Sequence, residues 1–254
     1  EFDRTGGNGV NPVVYEMEKL GMEKADHIMA VSNFTKNKII EHYGVNPDKI
    51  EVVHNAVEFN DNQFSKESFG LKAHHKVVLF LGRITLQKGP DYFLNVAKRV
   101  LEFEPDVRFV VAGDGDMTSF MIDRAAALGI GDKVLFTGFL RGLDIDRAYQ
   151  MADMYVMPSV SEPFGITPLE AMRNNTPVLI SKQSGVSEVI NSCFKSDFWD
   201  IDKMANQIIG TLRYKEVHDC LKQDGSEEVK KFNWNNPAGK CIEVYNKTFM
   251  KGVV

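Results

Sequence analysis

Short apolar runs alternate with longer amphipathic stretches from residue 76 onward, and this alternation constrains the fold more than any other feature. The apolar runs have the length of buried strands and lie at 77–81, 107–112, 134–137, 154–157 and 178–180. Helix-like stretches separate them at 90–104, 117–129, 144–152 and 166–175. In the first stretch, Phe93, Ala97 and Val100 recur at helical spacing. Strands that alternate with helices predict an α/β domain with a doubly wound parallel sheet and right-handed crossovers.

The first 60 residues are a different piece of structure. Helices are predicted at 11–24 and 33–43, and short strands at 28–31 and 51–53. Two strands and two helices cannot cover both faces of a parallel sheet, so this piece either packs on the main domain or is the tail of another domain. The polar segment 60–75 is predicted to be a linker, and 234–249 a closing helix.

The net charge and the cysteine content argue against some partners and compartments. The net charge of −5 argues against a nucleic-acid binder, because such proteins usually carry a basic excess or a basic face. The three cysteines are far apart and odd in number, so we expect reduced thiols in a cytoplasmic protein. No apolar run approaches the roughly 20 residues that span a bilayer. The chain begins with Glu1 rather than methionine, and we expect its true start to be missing.

Ligands of doubly wound sheets bind outside the carboxyl ends of the strands, so the loops at those ends carry the candidate site. After the first strand, the segment from Gly82 to Pro90 contains Arg83 and Lys88. An arginine is suited to bidentate phosphate binding, and a lysine adds a point charge. The alternative is a pair of solvated cations on a surface loop.

The second strand is followed by Gly113, Asp114, Gly115 and Asp116. Carboxylates in this pattern could hold Mg²⁺ or Mn²⁺, but Asp-x-Asp recurs at 144–146 and 200–202, so its specificity is low. A dinucleotide-binding fingerprint would need glycine in place of Thr118. We favour a glycine-rich turn with Asp116 near a helix start, and we predict no metal site.

The loop after the fourth strand holds two carboxylates, Glu162 and Glu170, on either side of Gly165. A glycine turn that opens a helix presents free N–H groups to anions, while the carboxylates suit the hydroxyls of a sugar or ribose. One alternative is a capping box, with Thr167 as N-cap and Glu170 reaching back. Another is a glycoside hydrolase with the glutamates as acid and base, although a helix between them would separate the carboxyl groups too far.

In their order along the chain, these motifs resemble the family four glycosyltransferases, which have the GT-B fold. The motifs of the main domain are Gly82-Arg83 with Lys88-Gly89, Gly113-Asp114-Gly115, and Glu162-Pro163-Phe164-Gly165 with Glu170-Ala171. Those of the front piece are Ala25-Asp26-His27-Ile28, Val31-Ser32, Tyr43-Gly44-Val45, Lys49-Ile50 and His54-Asn55-Ala56-Val57. The resemblance implies that residues 1–58 end the acceptor-binding N-terminal domain. Residues 59–254 would form a Rossmann-like, nucleotide-sugar-binding domain, whose last helix, about 236–250 around Tyr245, packs back toward the N-terminal domain.

The same resemblance implies a donor-binding role for eleven residues. They are Gly82, Arg83, Lys88, Gly138, Phe139, Leu140, Glu162, Phe164, Gly165, Ile166 and Glu170. Arg83 and Lys88 would bind the diphosphate, Glu162 would contact the donor sugar, and Glu170 would hold the ribose hydroxyls. The loop at 138–140 would border the base. Arg83, Lys88 and Glu162 are the predicted catalytic residues.

The chain departs from the family pattern in two places. Asn55-Ala56-Val57 replaces the usual Asn-Gly-Val at the interdomain link, which is a mild change. Ser184-Gly185-Val186-Ser187-Glu188 replaces the common Gly-Gly-x-Pro-Glu, and segment 194–202 replaces the strand expected after it. The second departure leaves the role of Glu188 open.

The resemblance implies a retaining, metal-independent glycosyltransferase without a cofactor. It would move a sugar from a nucleoside-diphosphate donor to a glycan or polysaccharide acceptor in the cytoplasm, with peripheral membrane association through the missing N-terminal domain as a further expectation. Nucleic acid is not an expected partner. The chain as it stands is expected to bind the donor but to be poorly active. Three alternatives stay open: a non-catalytic nucleotide-sugar-binding module, a nucleotide-sugar 2-epimerase of the same fold, and a metal-dependent transferase using Asp114 and Asp116.

Overall fold

The computed structural model describes residues 10–59 and 75–251, which form a small front piece and a larger α/β domain. The front piece, residues 10–59, contains α1 (Pro12–Lys24), β1 (Ile28–Ala30), α2 (Asn33–Tyr43) and β2 (Ile50–Val52). β1 and β2 pair in parallel. A small core of Ala30, Ile39, Val45 and Ile50 joins them to α2. The predicted linker at 60–75 lies, except for His75, outside the described residues.

A six-stranded parallel sheet forms the centre of the larger domain, as the alternation of apolar runs predicted. Its strands are β3 (Val77–Leu81), β4 (Arg108–Ala112), β5 (Val134–Gly138), β6 (Met154–Met157), β7 (Val178–Ser181) and β8 (Phe194–Ser196). Their spatial order is β5-β4-β3-β6-β7-β8. The chain therefore runs outward from β3 to β5 and then returns to the other side of β3. This reversal is a topological switch point, where open α/β sheets bind their ligands.

Helices cover both faces of the sheet. They are α3 (Pro90–Leu101), α4 (Thr118–Ala127), α5 (Leu143–Met151), α6 (Thr167–Arg173), α7 (Ile201–Arg213) and α8 (Lys215–Val229). A further helix, α9 (Asn235–Lys251), contributes no described residue to the core on either face. Val78 and Phe80 of β3 pack with α3, α4 and α7, whereas Val77 and Leu79 pack with α5, α6 and α8. Successive residues of a strand thus pack in the cores on opposite faces of the sheet. Because both faces are buried, the strands are continuous apolar runs in the sequence. No helix of the described residues has the length and apolar character needed to cross a membrane.

The sequence analysis was wrong about segment 194–202. A strand is present there, because Phe194–Ser196 pairs in parallel with β7 and places Lys195 opposite Ile180. β8 is a three-residue strand at the edge of the sheet, and two of its residues are polar. It therefore lacks the apolar run by which the buried strands are recognised.

The front piece contacts the end of the chain. The backbone N–H of Val57, in the link after β2, donates to the carbonyl of Phe232, just before α9, at 3.1 Å. Farther along α9, the ammonium of Lys247 lies 3.8 Å from a carboxylate oxygen of Glu51. The side chain of Tyr245 is exposed. The link after β2 and the segment before α9 are therefore hydrogen-bonded to each other.

Candidate functional site

A cavity of about 370 Å³ opens at the carboxyl ends of β3, β4 and β5. Its lining is mostly apolar and comprises Leu81, Gly82, Arg83, Ala112, Gly113, Asp114, Phe139, Leu140 and Ile145. Gly113 has a φ of +141°, and a Cβ there would lie 1.9 Å from the carbonyl oxygen of Gly82. Only glycine allows the loops after β3 and β4 to approach this closely. The glycine motif after the second strand therefore shapes one wall of the cavity.

Asp114 rather than Asp116 is engaged at the start of α4. Its carboxylate accepts hydrogen bonds from the backbone N–H of Gly115 at 2.8 Å and from the hydroxyl of Thr118 at 2.9 Å. The hydroxyl of Thr118 and the amide of Gly115 lower the pKa of Asp114, because both stabilise the ionised form. These contacts fit the turn interpretation of the motif, and the helix itself begins after Met117, which forms no side-chain capping hydrogen bond.

The two cations of the loop after β3 have different surroundings. The side chain of Arg83 is exposed at the rim of the cavity and forms no hydrogen bond or ion pair with other described residues. The ammonium of Lys88 instead forms an ion pair with the carboxylate of Glu162, and only 18% and 10% of the two side chains are exposed. The alternative of two solvated cations is thus wrong for Lys88.

The loop after β6 is held in place by backbone hydrogen bonds. Glu162 donates its N–H to Gln183 at 2.9 Å, and its carbonyl accepts from Gly185 at 2.9 Å. Gly165 has a φ of +94°, which non-glycine residues rarely adopt. Phe164, between them, is buried in the core beneath β6 and β7. The loop therefore holds the Glu162 carboxylate in a fixed position beside Lys88.

The capping box proposed for α6 does not form. The N-cap of α6 is Ile166, without a side-chain hydrogen bond, and the helix begins at Thr167. The hydroxyl of Thr167 accepts from the phenol of Tyr155 at 2.8 Å, and the carboxylate of Glu170 accepts from the phenol of Tyr149 at 3.0 Å. Burial raises the pKa of both phenols, and the charge of Glu170 raises that of Tyr149 further. Both tyrosines therefore remain hydrogen-bond donors at neutral pH.

Glu188 and His54, which the sequence analysis left without a role, meet at the junction with the front piece. The Glu188 carboxylate accepts from the backbone N–H groups of Asn33 and Phe34, at 2.7 and 3.2 Å, at the start of α2. It also lies 2.7 Å from Nε2 of His54, whose ring centroid is 6.0 Å from that of Phe164. A carboxylate at a helix N-terminus stabilises that helix. Glu188 therefore links the turn after β7 with the front piece.

The structure brings the predicted residues together in two adjoining groups. Gly82, Arg83, Phe139 and Leu140 line the cavity, whereas Gly138 lies outside the lining and accepts from the N–H of Gly113 at 2.8 Å. Lys88 and Glu162 form the second group. Gln87 joins the loop after β3 to the loop after β6, because its backbone carbonyl accepts from Val160 and its side-chain amide donates to the carbonyl of Ser161. Glu170 and the partly buried Ile166 lie at the start of α6, beside this second group.

The architecture is similar to that of solved GT-B structures. Anabaena HepE, solved in complex with UDP-glucose, aligns with a TM-score of 0.85 at 19% identity over 94% of this chain and 68% of that chain. Sucrose-phosphate synthase from Thermosynechococcus elongatus aligns with a TM-score of 0.83 at 22% identity over 98% and 64%. Likeness at these identities shows the fold alone, and that fold is GT-B.

Sequence comparison defines the family. The model described as "Glycosyl transferases group 1" matches residues 61–225, and that described as "Glycosyltransferase Family 4" matches residues 4–61. An uncharacterised glycosyltransferase of Methanocaldococcus jannaschii is 31% identical over 267 residues, which cover 96% of this chain and 66% of the relative. The D-inositol 3-phosphate glycosyltransferase of Mycobacterium marinum is 26% identical over 245 residues, which cover 91% and 52%. The chain belongs to the group 1 glycosyltransferases, and it spans between about half and two thirds of the length of these relatives.

Proposed function

We propose that this chain binds a nucleoside-diphosphate sugar at the carboxyl edge of the sheet and supports transfer of the sugar to a glycan or polysaccharide acceptor. The observation that carries the proposal is one juxtaposition. An apolar cavity at the ends of β3, β4 and β5 has the exposed Arg83 at its rim, and the Lys88–Glu162 pair joins the loops after β3 and β6, at the topological switch point. The apolar cavity suits a flat base, Arg83 suits a charged diphosphate, and the Lys88–Glu162 pair suits a hydroxylated sugar.

Each part of the donor has a suitable partner in this arrangement. The ring of Phe139 is 67% exposed at the cavity and offers a face for stacking on the base. Arg83 can bind a phosphate through two parallel hydrogen bonds, as guanidinium groups do. Glu162 and Glu170 supply acceptor oxygens for sugar and ribose hydroxyls, since Lys88 and Tyr149 hold the two carboxylates in position.

The proposed chemistry is retaining and needs no metal ion. As the bond from the anomeric carbon to the diphosphate oxygen breaks, negative charge grows on the leaving diphosphate. Arg83 and Lys88 stabilise that charge, and a preorganised donor of this kind contributes about 3 to 4 kcal/mol in a well-studied case. Retention, metal independence and the acceptor class are parts of the proposal that rest on the family resemblance.

A calorimetric titration tests the donor site. UDP and UDP-glucose are the first ligands to try, because Anabaena HepE was solved with both, followed by the guanosine and adenosine diphosphates. We expect one nucleotide class to bind, with an affinity that EDTA does not change. Arg83→Ala should weaken binding at least tenfold. The control Lys98→Ala, which removes an exposed cation at the far end of α3, should not. Binding that EDTA abolishes would instead support a metal-dependent site at Asp114 and Asp116.

The anomeric configuration of the released sugar tests retention. Slow hydrolysis of UDP-glucose by the protein, followed by proton NMR before mutarotation is complete, should show the α-anomer first. An initial β-anomer would contradict retention. Tight donor binding without release of sugar to water or to any acceptor would favour the non-catalytic module. Conversion of the nucleotide sugar to its 2-epimer would favour the epimerase.

A further inference from the structure

A second cavity, which we call the crossover cavity, lies between the link after β2 and the start of α9. Its volume is about 500 Å³, within the range of small-molecule sites. Its lining comes from residues 54–56 in the link after β2 and from residues 231–243 around the start of α9. It shares no lining residue with the cavity at β3, β4 and β5. The donor proposal therefore gives it no role.

The charged residues of the crossover cavity favour an anion. Lys231 and Lys240 line it, and neither forms an ion pair within 4.0 Å with a carboxylate of the described residues. The carboxylate of Glu228 is near enough for the charge of Lys231 to help lower its pKa, but its hydrogen bonds are to the backbone N–H groups of Asn191 and Ser192. Glu243 is the one acidic residue of the lining. Among the lining residues alone, two ammonium groups against one carboxylate give a net positive charge that favours an anionic ligand.

The neutral polar residues of the same lining favour hydroxyl groups. Four asparagines, Asn55, Asn233, Asn235 and Asn236, line the same cavity. An amide both donates and accepts, so it can bind a hydroxyl in either direction. Asn233 uses its carbonyl oxygen to accept from the backbone N–H of Asn235 at 3.1 Å, and its NH₂ group remains as a donor. Asparagines from the link after β2 and from the start of α9 therefore line the same cavity as the two lysines.

We propose that the crossover cavity binds a small polyhydroxylated anion of the sugar monophosphate class. Lys231 and Lys240 would take the phosphate, and the asparagines would take the hydroxyls. Such a ligand would contact both the link after β2 and the start of α9, which are already joined by the hydrogen bond from Val57 to Phe232. Its binding would stabilise their mutual arrangement, and with it the placement of the front piece on the α/β domain.

Tryptophan fluorescence tests the proposal directly, because the chain has two tryptophans and Trp234 lies between the lining residues Asn233 and Asn235. In a Trp199→Phe chain, the remaining signal comes from Trp234. Titration with glucose 6-phosphate should give a saturable change, inorganic phosphate a weaker one, and glucose none at the same concentrations. The double variant Lys231→Ala and Lys240→Ala should weaken glucose 6-phosphate binding at least tenfold. The exposed Lys222 of α8 provides a matched control as Lys222→Ala.

Three results would overturn the assignment. The first is no saturable response to glucose 6-phosphate up to about 10 mM, both by fluorescence and by ligand-observed NMR, since weaker binding falls outside specific recognition. The second is unchanged binding in the double lysine variant, whose fold is checked by circular dichroism. The third is loss of glucose 6-phosphate binding in Arg83→Ala, because this would place the phosphate in the donor cavity. Arg83→Ala also separates the two proposals, since it should weaken nucleotide binding alone.

Discussion

At the residue scale, a single glycine sets the geometry of the loop that carries Glu162. Gly165 has a φ of +94°, and a Cβ there would lie 3.1 Å from Cγ of Glu162 and 3.2 Å from Sδ of Met157. Any other residue would have to adopt a strained backbone and push the carboxylate aside. The conformation of the loop and the position of Glu162 therefore depend on the same residue.

Gly165→Ala should lower the free energy of unfolding by about 1 to 3 kcal/mol, the usual cost of a residue held in a disfavoured backbone conformation. Urea denaturation measures the change. The control is Gly210→Ala in the interior of α7. A Cβ at this position meets no atom within 4 Å, so the substitution should stabilise the protein by about 0.5 to 1 kcal/mol. Equal effects of the two substitutions would show that the loop does not require glycine.

Sequence analysis proposed the charged residues of the candidate site but could not predict the contacts that hold them. Arg83, Lys88, Glu162 and Glu170 were singled out because they follow strands whose carboxyl ends share one edge of a sheet. The phenol of Tyr149, which donates to Glu170, lies 21 residues earlier on α5. Such a contact depends on how α5 and α6 pack, and no local pattern encodes it.

At the element scale, the start of α2 depends on a carboxylate from the α/β domain. Glu188 accepts hydrogen bonds from the N–H groups of Asn33 and Phe34, while the helix supplies its own N-cap through Ser32. The hydroxyl groups of Ser32 and Thr35 also donate to the carbonyl of Pro163, at 2.5 and 3.0 Å. The first turn of α2 and the loop next to Glu162 therefore stabilise each other.

Glu188→Ala should speed hydrogen exchange of the amides in the first turn of α2, because two N–H groups lose their acceptor. A cap of this kind contributes about 0.5 to 2 kcal/mol, which corresponds to an increase of roughly twofold to thirtyfold in local exchange. Glu188→Gln should have a smaller effect because it retains an acceptor oxygen. The exposed Glu41, on the same helix, gives the control Glu41→Ala. Unchanged exchange in Glu188→Ala would contradict this account.

The end of α8 gives the protein a predictable response to acid. Burial would raise the pKa of Glu228, but hydrogen bonds from the amides of Ser192 and Asn191 outweigh it and lower the pKa. A carboxyl group whose pKa is lower in the folded state stabilises the protein above its unfolded pKa, about 4.3 for glutamate. That contribution is lost as the pH falls below about 4.

Glu228→Gln should therefore lower stability at pH 7 by about 1 to 3 kcal/mol, the range for hydrogen bonds to charged groups, and should flatten the decline in stability between pH 5 and pH 3. Thermal unfolding across this pH range measures both effects. Glu216→Gln, an exposed carboxyl at the other end of α8, should change neither appreciably. A pH profile of Glu228→Gln parallel to that of the wild type would contradict the assignment.

At the scale of the whole molecule, the buried strands were predictable and the contacts between the two pieces were not. The runs at 77–81 and 154–157 coincide with β3 and β6, because strands buried on both faces are apolar throughout. α7 was missed although Met204, Ala205, Ile208 and Ile209 do recur at helical spacing. The contact of Glu188 with α2 joins residues more than 150 positions apart and has no signature in the local sequence.

A crystal structure of the chain with bound UDP would test the central claim, that this α/β domain is the donor-binding domain of a glycosyltransferase, most directly. The account predicts the base in the cavity beside Phe139 and Leu140, the ribose hydroxyls at Glu170, and the diphosphate at Arg83. It also predicts no metal ion between the nucleotide and Asp114 or Asp116. A nucleotide bound in the crossover cavity, or bound through a metal ion at Asp114 and Asp116, would contradict the claim.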